Sequence, residues 1–109
     1  MTRDLAVLSR LEATIKARKE ANPKDSYVAS LLAGGGQTVA RKLGEEALET
    51  VIAALGDDPE ALVAEGADLI FHLLVLLAHH DRSIADIAAE LERREGTPGH
   101  AEKAARGQS

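Results

Sequence analysis

DPEALVAEGADLIFHLLVLLAHH, residues 58–80, is the stretch that decides the fold. Asp58 can cap a helix and Pro59 suits the first helical turn, so the stretch predicts one helix that ends at about His80. Residues 69–78 are apolar on nearly every side of that helix, which is typical of a helix at the centre of its bundle. A chain of 109 residues can hardly surround such a helix, so we expect a homodimer, although the chain's other helices could cover it unaided.

The rest of the chain divides into further helical segments, and none alternates polar with apolar residues as a strand would. The breaks between them are helix caps and helix breakers, namely Asn22-Pro23, Ser26, the glycines 34–36, Gly56 and Ser83. The other predicted helices run from about Thr2 to Glu20, Ser26 to Ala33, Thr38 to Leu55 and Ile84 to Arg94. We therefore expect an all-α bundle of four to five helices, with one domain over residues 1–96 and a polar tail over 97–109.

The composition excludes several classes of protein. There is no cysteine, which rules out disulfides and thiolate metal sites and fits a cytoplasmic location. The net charge of −5 argues against a nucleic-acid partner, because a phosphate backbone is held by Lys and Arg. The N-terminal residues carry charges throughout, so no signal peptide is expected. His72 interrupts the longest apolar stretch, which is too short to span a bilayer, so no membrane partner is expected.

Acidic side chains cluster on two consecutive predicted helices. A helix turns by roughly 100° per residue. On the helix that precedes Gly56, four residues share the polar arc: Lys42, Glu45, Glu46 and Glu49. The next helix carries Glu65 and Asp68 three residues apart, a spacing at which side chains meet.

The two acidic groups lie at matching depth in the predicted hairpin, each about two turns from the connection. Antiparallel packing would therefore bring the carboxylates together, and their mutual repulsion would require a cation. With oxygen ligands alone, Mg²⁺ or Mn²⁺ suits such a site better than Zn²⁺. The alternative is that each group is an ordinary solvated face, which is common for acidic residues at helical spacing. Their joint placement favours the metal site.

Other candidates are ambiguous. His72, one turn after Asp68, is more typical of a core histidine than of a catalyst. The glycines at 34–36 lack the Lys-Ser/Thr of a P-loop and follow no strand, so they predict a helix stop. Free N–H groups at the start of the next helix could nevertheless meet an anion.

Taken together, these motifs resemble a known family. Glu45-Glu46-x-x-Glu49 followed by Glu65-x-x-Asp68 is similar to the metal motif of the MazG-like all-α nucleotide pyrophosphatases. Four further segments narrow the resemblance to the phosphoribosyl-ATP pyrophosphatases: residues 26–32, the glycines 34–36, residues 42–46 and residues 67–77. The resemblance extends from about Leu5 to Arg94.

This resemblance implies an enzyme of the second step of histidine biosynthesis, which hydrolyses phosphoribosyl-ATP to phosphoribosyl-AMP and pyrophosphate. It also implies a homodimer and an Mg²⁺ ion, with Mn²⁺ as a substitute. The implied metal ligands are Glu46, Glu49, Glu65 and Asp68. The implied catalytic residues are Glu45, which would orient or deprotonate water or hold a second metal, and Lys42, which would contact phosphate. The implied substrate-binding residues are His72 and, in the tail motif that begins at Glu102, Lys103 and Arg106.

Two departures and two alternatives remain open. Gly34 and Gln37 stand where related sequences often carry basic residues, and Thr97-Pro98 is unusual in the tail. The first alternative function is a house-cleaning (d)NTP pyrophosphatase with the same site. The second is a non-catalytic helical module that only dimerises, which would neither bind Mg²⁺ nor hydrolyse nucleotides.

Overall fold

The computed structural model describes residues 4–106, with the backbone alone for residues 100–102. The six helices in this part of the chain are α1 (Ala6–Ala17), α2 (Tyr27–Ala33), α3 (Gly35–Ala54), α4 (Pro59–His79), α5 (Ile84–Arg93) and α6 (Gly99–Ala105). No strand occurs between residues 4 and 106, so the all-α prediction is confirmed. The predicted start of the first helix at Thr2 lies outside the described residues, as do residues 1–3 of the predicted domain and 107–109 of the predicted tail.

The helix α4 begins where its caps predict. The Asp58 carboxylate accepts a hydrogen bond from the N–H of Glu60 at 3.0 Å, and Pro59 occupies the first turn. Residues 55–58 connect α3 to α4, and the two helices pack against each other as an antiparallel hairpin. The hairpin sets the acidic residues of both helices at the same depth.

A single apolar cluster forms the core, and it lies at one end of this hairpin. Its buried members come from the first four helices: Ile15, Val28, Leu31, Val39, Leu74, Val75 and Ala78. All the α4 members lie in the C-terminal half of that helix, and Val39 lies in the first turns of α3. Burial of such a side chain stabilises a fold by about 1.5–3 kcal/mol. The other end of the hairpin, around the α3–α4 connection, is outside the core.

Hydrogen bonds of two charged side chains, one in α1 and one just after it, connect this part of the chain to α4 and α5. The buried Glu12 carboxylate accepts a hydrogen bond from the N–H of Ile84 at 2.7 Å, which satisfies a free donor at the start of α5. Lys19 donates to the carbonyl of Ala78 at 3.0 Å, at the end of α4. The cap of α5 itself is the predicted one, because Ser83 and Asp86 form a reciprocal capping box.

The three glycines form a corner and not a loop, so the prediction that α3 begins at Thr38 is wrong by one turn. Gly35 has a φ of +84°, a conformation that suits glycine, and the chain turns within that single residue. Gly36 then lies inside the helix, where an added Cβ would stand 3.0 Å from Nε2 of His79. A larger residue at Gly36 would therefore require the His79 ring to shift by a few tenths of an ångström.

The described part of the tail contains a helix that the sequence did not predict. Gly96, with a φ of +77°, ends the turn after α5, and residues 99–105 form the helix α6. Residues 4–106 therefore contain one helix more than the predicted maximum of five. A seven-residue polar segment carries too little apolar periodicity to predict a helix from sequence.

The helix α4 is, by length and composition alone, apolar enough to cross a membrane. It also carries Glu65, Asp68 and His72, and its C-terminal half contributes Leu74, Val75 and Ala78 to the buried core. These are the properties of a core helix.

Candidate metal centre

Three carboxylates converge on the α3–α4 seam. Glu46 and Glu49 come from α3 and Glu65 comes from α4, and one oxygen from each lies within 4.8 Å of the other two. We call these three residues the acidic cluster. Mg²⁺ binds oxygen at about 2.1 Å, so opposite ligands stand roughly 4 Å apart. The spacing of the acidic cluster therefore fits ligands of one divalent cation after small rotations of the side chains.

Glu46 is the member of the acidic cluster whose carboxyl has a raised pKa. Its Oε2 atom is buried and accepts no hydrogen bond within the described part of the chain. Burial raises the pKa of its carboxyl, and the charges of three neighbours raise it further: Glu49, Asp68 and Glu65. The nearby His72 acts in the opposite direction and lowers this pKa. An oxygen without a partner among like charges is what a cation would relieve, so the residues present fit a metal.

Asp68, the fourth predicted ligand, occupies a different position. Its side chain is exposed and is not among the three oxygens that converge, although its charge acts on Glu46. Its ligand role stays a prediction, which requires a rotation of the side chain towards the seam.

The two predicted catalytic residues pair with each other on the outer side of α3. Glu45 is half-exposed and lies 3.5 Å from Nζ of Lys42. Its other oxygen lies 3.7 Å from Nε of Arg41, a residue that the sequence did not single out. Glu45 is therefore held by two cations next to the acidic cluster without belonging to it, and its role in activating water stays a prediction.

Thr50 links the two helices at the residues that carry the cluster. Its hydroxyl lies 2.8 Å from the carbonyl oxygen of Glu46 and 3.2 Å from that of Glu65. The single hydroxyl proton can be donated to either oxygen, so the group bridges the backbones of α3 and α4. The sequence analysis missed this residue, because a threonine hydroxyl that bonds four residues back is common in any helix.

His72 is buried, with 4% of its surface exposed. Its Nδ1 lies 2.7 Å from the carbonyl oxygen of Asp68, and its Nε2 lies 2.9 Å from the hydroxyl of Tyr27. Both ring nitrogens are therefore occupied by protein groups, and direct contact with substrate stays a prediction. The sequence analysis assigned no role to Tyr27, whose ring stacks beside that of Phe71 with 6.0 Å between centroids.

The predicted substrate-binding residues of the tail, Lys103 and Arg106, are exposed on and just after α6. Their role in substrate binding stays a prediction. The side chain of Glu102 lies outside what the structure describes.

As a whole, the site offers carboxylate oxygens for a divalent cation, with Lys42 and Arg41 one turn away as positive charges. A site of this type can neutralise the charge of a phosphate chain and position water beside it.

Comparison of the amino-acid sequence with those of known proteins identifies the family of this chain. The profile of the phosphoribosyl-ATP pyrophosphohydrolase family matches residues 8–95. The phosphoribosyl-ATP pyrophosphatase of Erythrobacter litoralis is 61% identical over 100 residues, covering 92% of this chain and 96% of the relative. Those of Rhizorhabdus wittichii and Zymomonas mobilis are 59% and 55% identical and cover 91% and 94% of this chain, and 93% and 95% of the relatives. The chain belongs to the phosphoribosyl-ATP pyrophosphohydrolase family.

Proposed function

We propose that this chain hydrolyses phosphoribosyl-ATP to phosphoribosyl-AMP and pyrophosphate, the second step of histidine biosynthesis, in the cytoplasm. Membership of the family supports this activity, since the relatives carry it in their names. The single observation within the structure that carries the proposal is the convergence of Glu46, Glu49 and Glu65 across the α3–α4 seam.

We further propose that the acidic cluster holds Mg²⁺, with Asp68 as a fourth ligand. The buried, unpartnered Oε2 of Glu46 supports this assignment, because a divalent cation would supply its missing interaction. When bound, the ion would neutralise phosphate charge and polarise the phosphorus that is attacked.

The protein groups beside the cluster then have separate tasks. Glu45 would orient the attacking water and accept its proton as the water oxygen bonds to phosphorus. The bond from the attacked phosphorus to the oxygen that bridges the α- and β-phosphates breaks, and its electron pair leaves on that oxygen with the other phosphate product. Lys42, which lies 3.5 Å from Glu45, would contact phosphate oxygens and stabilise the negative charge that develops there.

Pyrophosphate release tests this function most directly. Phosphoribosyl-ATP, ATP and each dNTP would be assayed in parallel, with Mg²⁺ and with EDTA. We expect Mg²⁺-dependent release from phosphoribosyl-ATP at a far higher kcat/KM than from the other nucleotides. Faster release from dNTPs would instead identify a house-cleaning enzyme. A chain inactive on every substrate and unaffected by Mg²⁺ in melting experiments would be a helical dimerisation module.

We also propose that the protein is a homodimer through the connection end of the α3–α4 hairpin. Large apolar side chains are exposed there in unusual number: Leu48, Val51, Ile52, Leu55, Leu62 and Val63. Exposed apolar side chains concentrated at one end of a hairpin are typical of a subunit interface. Sedimentation of the wild type and of Val51→Lys tests the proposal: we expect a dimer and a folded monomer, respectively. A monomeric wild type would overturn it.

A further inference from the structure

We propose that Tyr27 forms the nucleoside-binding surface of this site, and that His72 is the positioning residue that holds its phenol there. The inference rests on the proposed function, because it assigns one part of the same substrate. It starts from a chain of contacts between α2 and the ligand-bearing turn of α4.

The contacts connect the phenol with the turn of α4 that carries Asp68. The Tyr27 hydroxyl lies 2.9 Å from Nε2 of His72, and the other ring nitrogen lies 2.7 Å from the Asp68 carbonyl oxygen. Tyr27 is thus separated from the turn that carries Asp68 by a single imidazole ring.

For a neutral imidazole, the directions of these hydrogen bonds follow from the groups involved. A carbonyl oxygen only accepts, so Nδ1 of His72 carries the proton and donates to Asp68. In a neutral imidazole Nε2 is then an acceptor, so the Tyr27 hydroxyl donates to it. The phenol oxygen has no second proton and presents only lone pairs to the outside. It therefore fits a donor, such as a ribose hydroxyl or the amino group of a purine, and not a phosphate oxygen.

The exposure of Tyr27 is consistent with a binding surface. Its residue surface is 53% exposed although its hydroxyl is turned inward onto a buried histidine. The ring stacks beside Phe71 with an interplanar angle of 18°, and these are the only two aromatic residues of types Phe, Tyr and Trp in the chain. Aromatic faces bind nucleobases by stacking in many proteins. The site thus divides the substrate: carboxylates and Lys42 face the phosphates, and Tyr27 faces the nucleoside.

Tyrosine fluorescence offers a direct test, because the chain has one tyrosine and no tryptophan. The wild-type protein with Mg²⁺ would be titrated with phosphoribosyl-AMP and, separately, with pyrophosphate. Emission would be corrected for nucleotide absorption against N-acetyltyrosinamide. We expect saturable quenching with phosphoribosyl-AMP and little change with pyrophosphate. An unchanged emission with the nucleotide, or an equal response to pyrophosphate, would overturn the proposal whether or not the protein is catalytic.

Kinetics on phosphoribosyl-ATP test the two residues separately. Tyr27→Phe should raise KM about 5- to 10-fold, as expected for one lost hydrogen bond, with kcat within about 2-fold of wild type. His72→Leu should give the same KM increase, and the double variant should add nothing further. His72→Gln, which keeps a polar group near the Nε2 position, should restore most of the affinity, whereas His72→Asn should not.

The control is Ala33→Ser, at the exposed end of the same helix, which should behave as wild type. Circular dichroism and melting would verify that each variant is folded. An active wild type whose KM is insensitive to Tyr27→Phe overturns this inference and leaves the proposed function intact. A Tyr27→Phe variant with normal KM and a changed oligomeric state would mean that Tyr27 packs against a second copy, which also overturns it.

Discussion

The same two helices, α3 and α4, are sealed at one end and open at the other. At the sealed end Val39, Leu74 and Val75 are completely buried. At the connection end Leu55 is 83% exposed and Val63 is 72% exposed, although both are as apolar as the core residues. The acidic cluster lies between these two ends. The difference indicates that the buried end of the hairpin stabilises the fold of the single chain. The connection end contributes little to that stability and is available for function and association.

The largest expected effect comes from the residue at the boundary between the halves. Glu46→Gln should lower kcat/KM at least about 10³-fold, equivalent to about 4 kcal/mol, and should abolish the rise in melting temperature that Mg²⁺ causes. The unliganded variant should be as stable as wild type at neutral pH, or more stable. The reason is that burial and neighbouring charges raise the pKa of the Glu46 carboxyl, so its ionised form opposes folding above that pKa.

A matched control for this prediction is Glu92→Gln, an exposed position on α5, which should retain full activity. If Glu46→Gln released pyrophosphate at a nearly normal rate, the assignment of the acidic cluster as metal ligands would be refuted.

Features that depend on residues close together in the sequence could be predicted, and features that depend on distant residues could not. The Asp58 and Ser83 caps and the acidic spacing on α3 and α4 are local, so they could be predicted. The carboxylate of Glu12 reaches Ile84, 72 positions away, and no local pattern contains that contact. The approach of His79 on α4 to Gly36 is likewise a contact between distant positions, which sequence periodicity does not contain.

Within the site, the same distinction separates the residues that converge from those that do not. Helical spacing places a side chain on an arc, and this was sufficient to select Glu46, Glu49 and Glu65. It does not set the rotamer, so it could not foresee that Asp68 points to solvent or that Glu45 turns to Arg41. The rotamer of each side chain depends on its neighbours in the folded structure and not on its helical spacing.

The contrast in burial predicts a contrast in stability. Leu74→Ala, at the sealed end, should lower the free energy of unfolding by about 3 kcal/mol, since it leaves a cavity in the core. Leu55→Ala, at the open end, should cost less than about 0.5 kcal/mol in the isolated chain. Urea denaturation at low and high protein concentration measures both. A loss of several kcal/mol for Leu55→Ala at high concentration alone would locate Leu55 in a subunit interface.

The bridge made by Thr50 couples the two helices in the functional region, and its removal should have an intermediate effect. Thr50→Val deletes the hydroxyl that contacts the Glu46 and Glu65 carbonyls and should weaken Mg²⁺ or Mn²⁺ binding about 5-fold, or about 1 kcal/mol. Thr50→Ser should restore the affinity. Calorimetric titration with Mn²⁺ provides the measurement.

Thr38→Val is the matched control, because the Thr38 hydroxyl bonds the carbonyl of Gly34 within the helix at 2.9 Å and reaches no residue of α4 among the described contacts. Equal affinity losses in Thr50→Val and Thr38→Val would show that the bridge between the helices has no specific role.

The smallest effect is expected outside both halves, on α5. Hydrogen bonds from Arg93 and then Arg94 lower the pKa of the half-exposed Glu90 carboxyl to about 2, from an ordinary value of 4.5. A carboxyl whose pKa is lower in the folded state stabilises the protein above the unfolded-state value and loses that contribution as the pH falls from about 4.5 towards 2. Because solvent screens such pairs, Glu90→Gln should change the melting temperature at pH 7 by at most a few degrees, and by less at pH 3. Thermal melts of wild type and Glu90→Gln at both pH values measure this difference, and a larger difference at pH 3 than at pH 7 would contradict the ion-pair explanation.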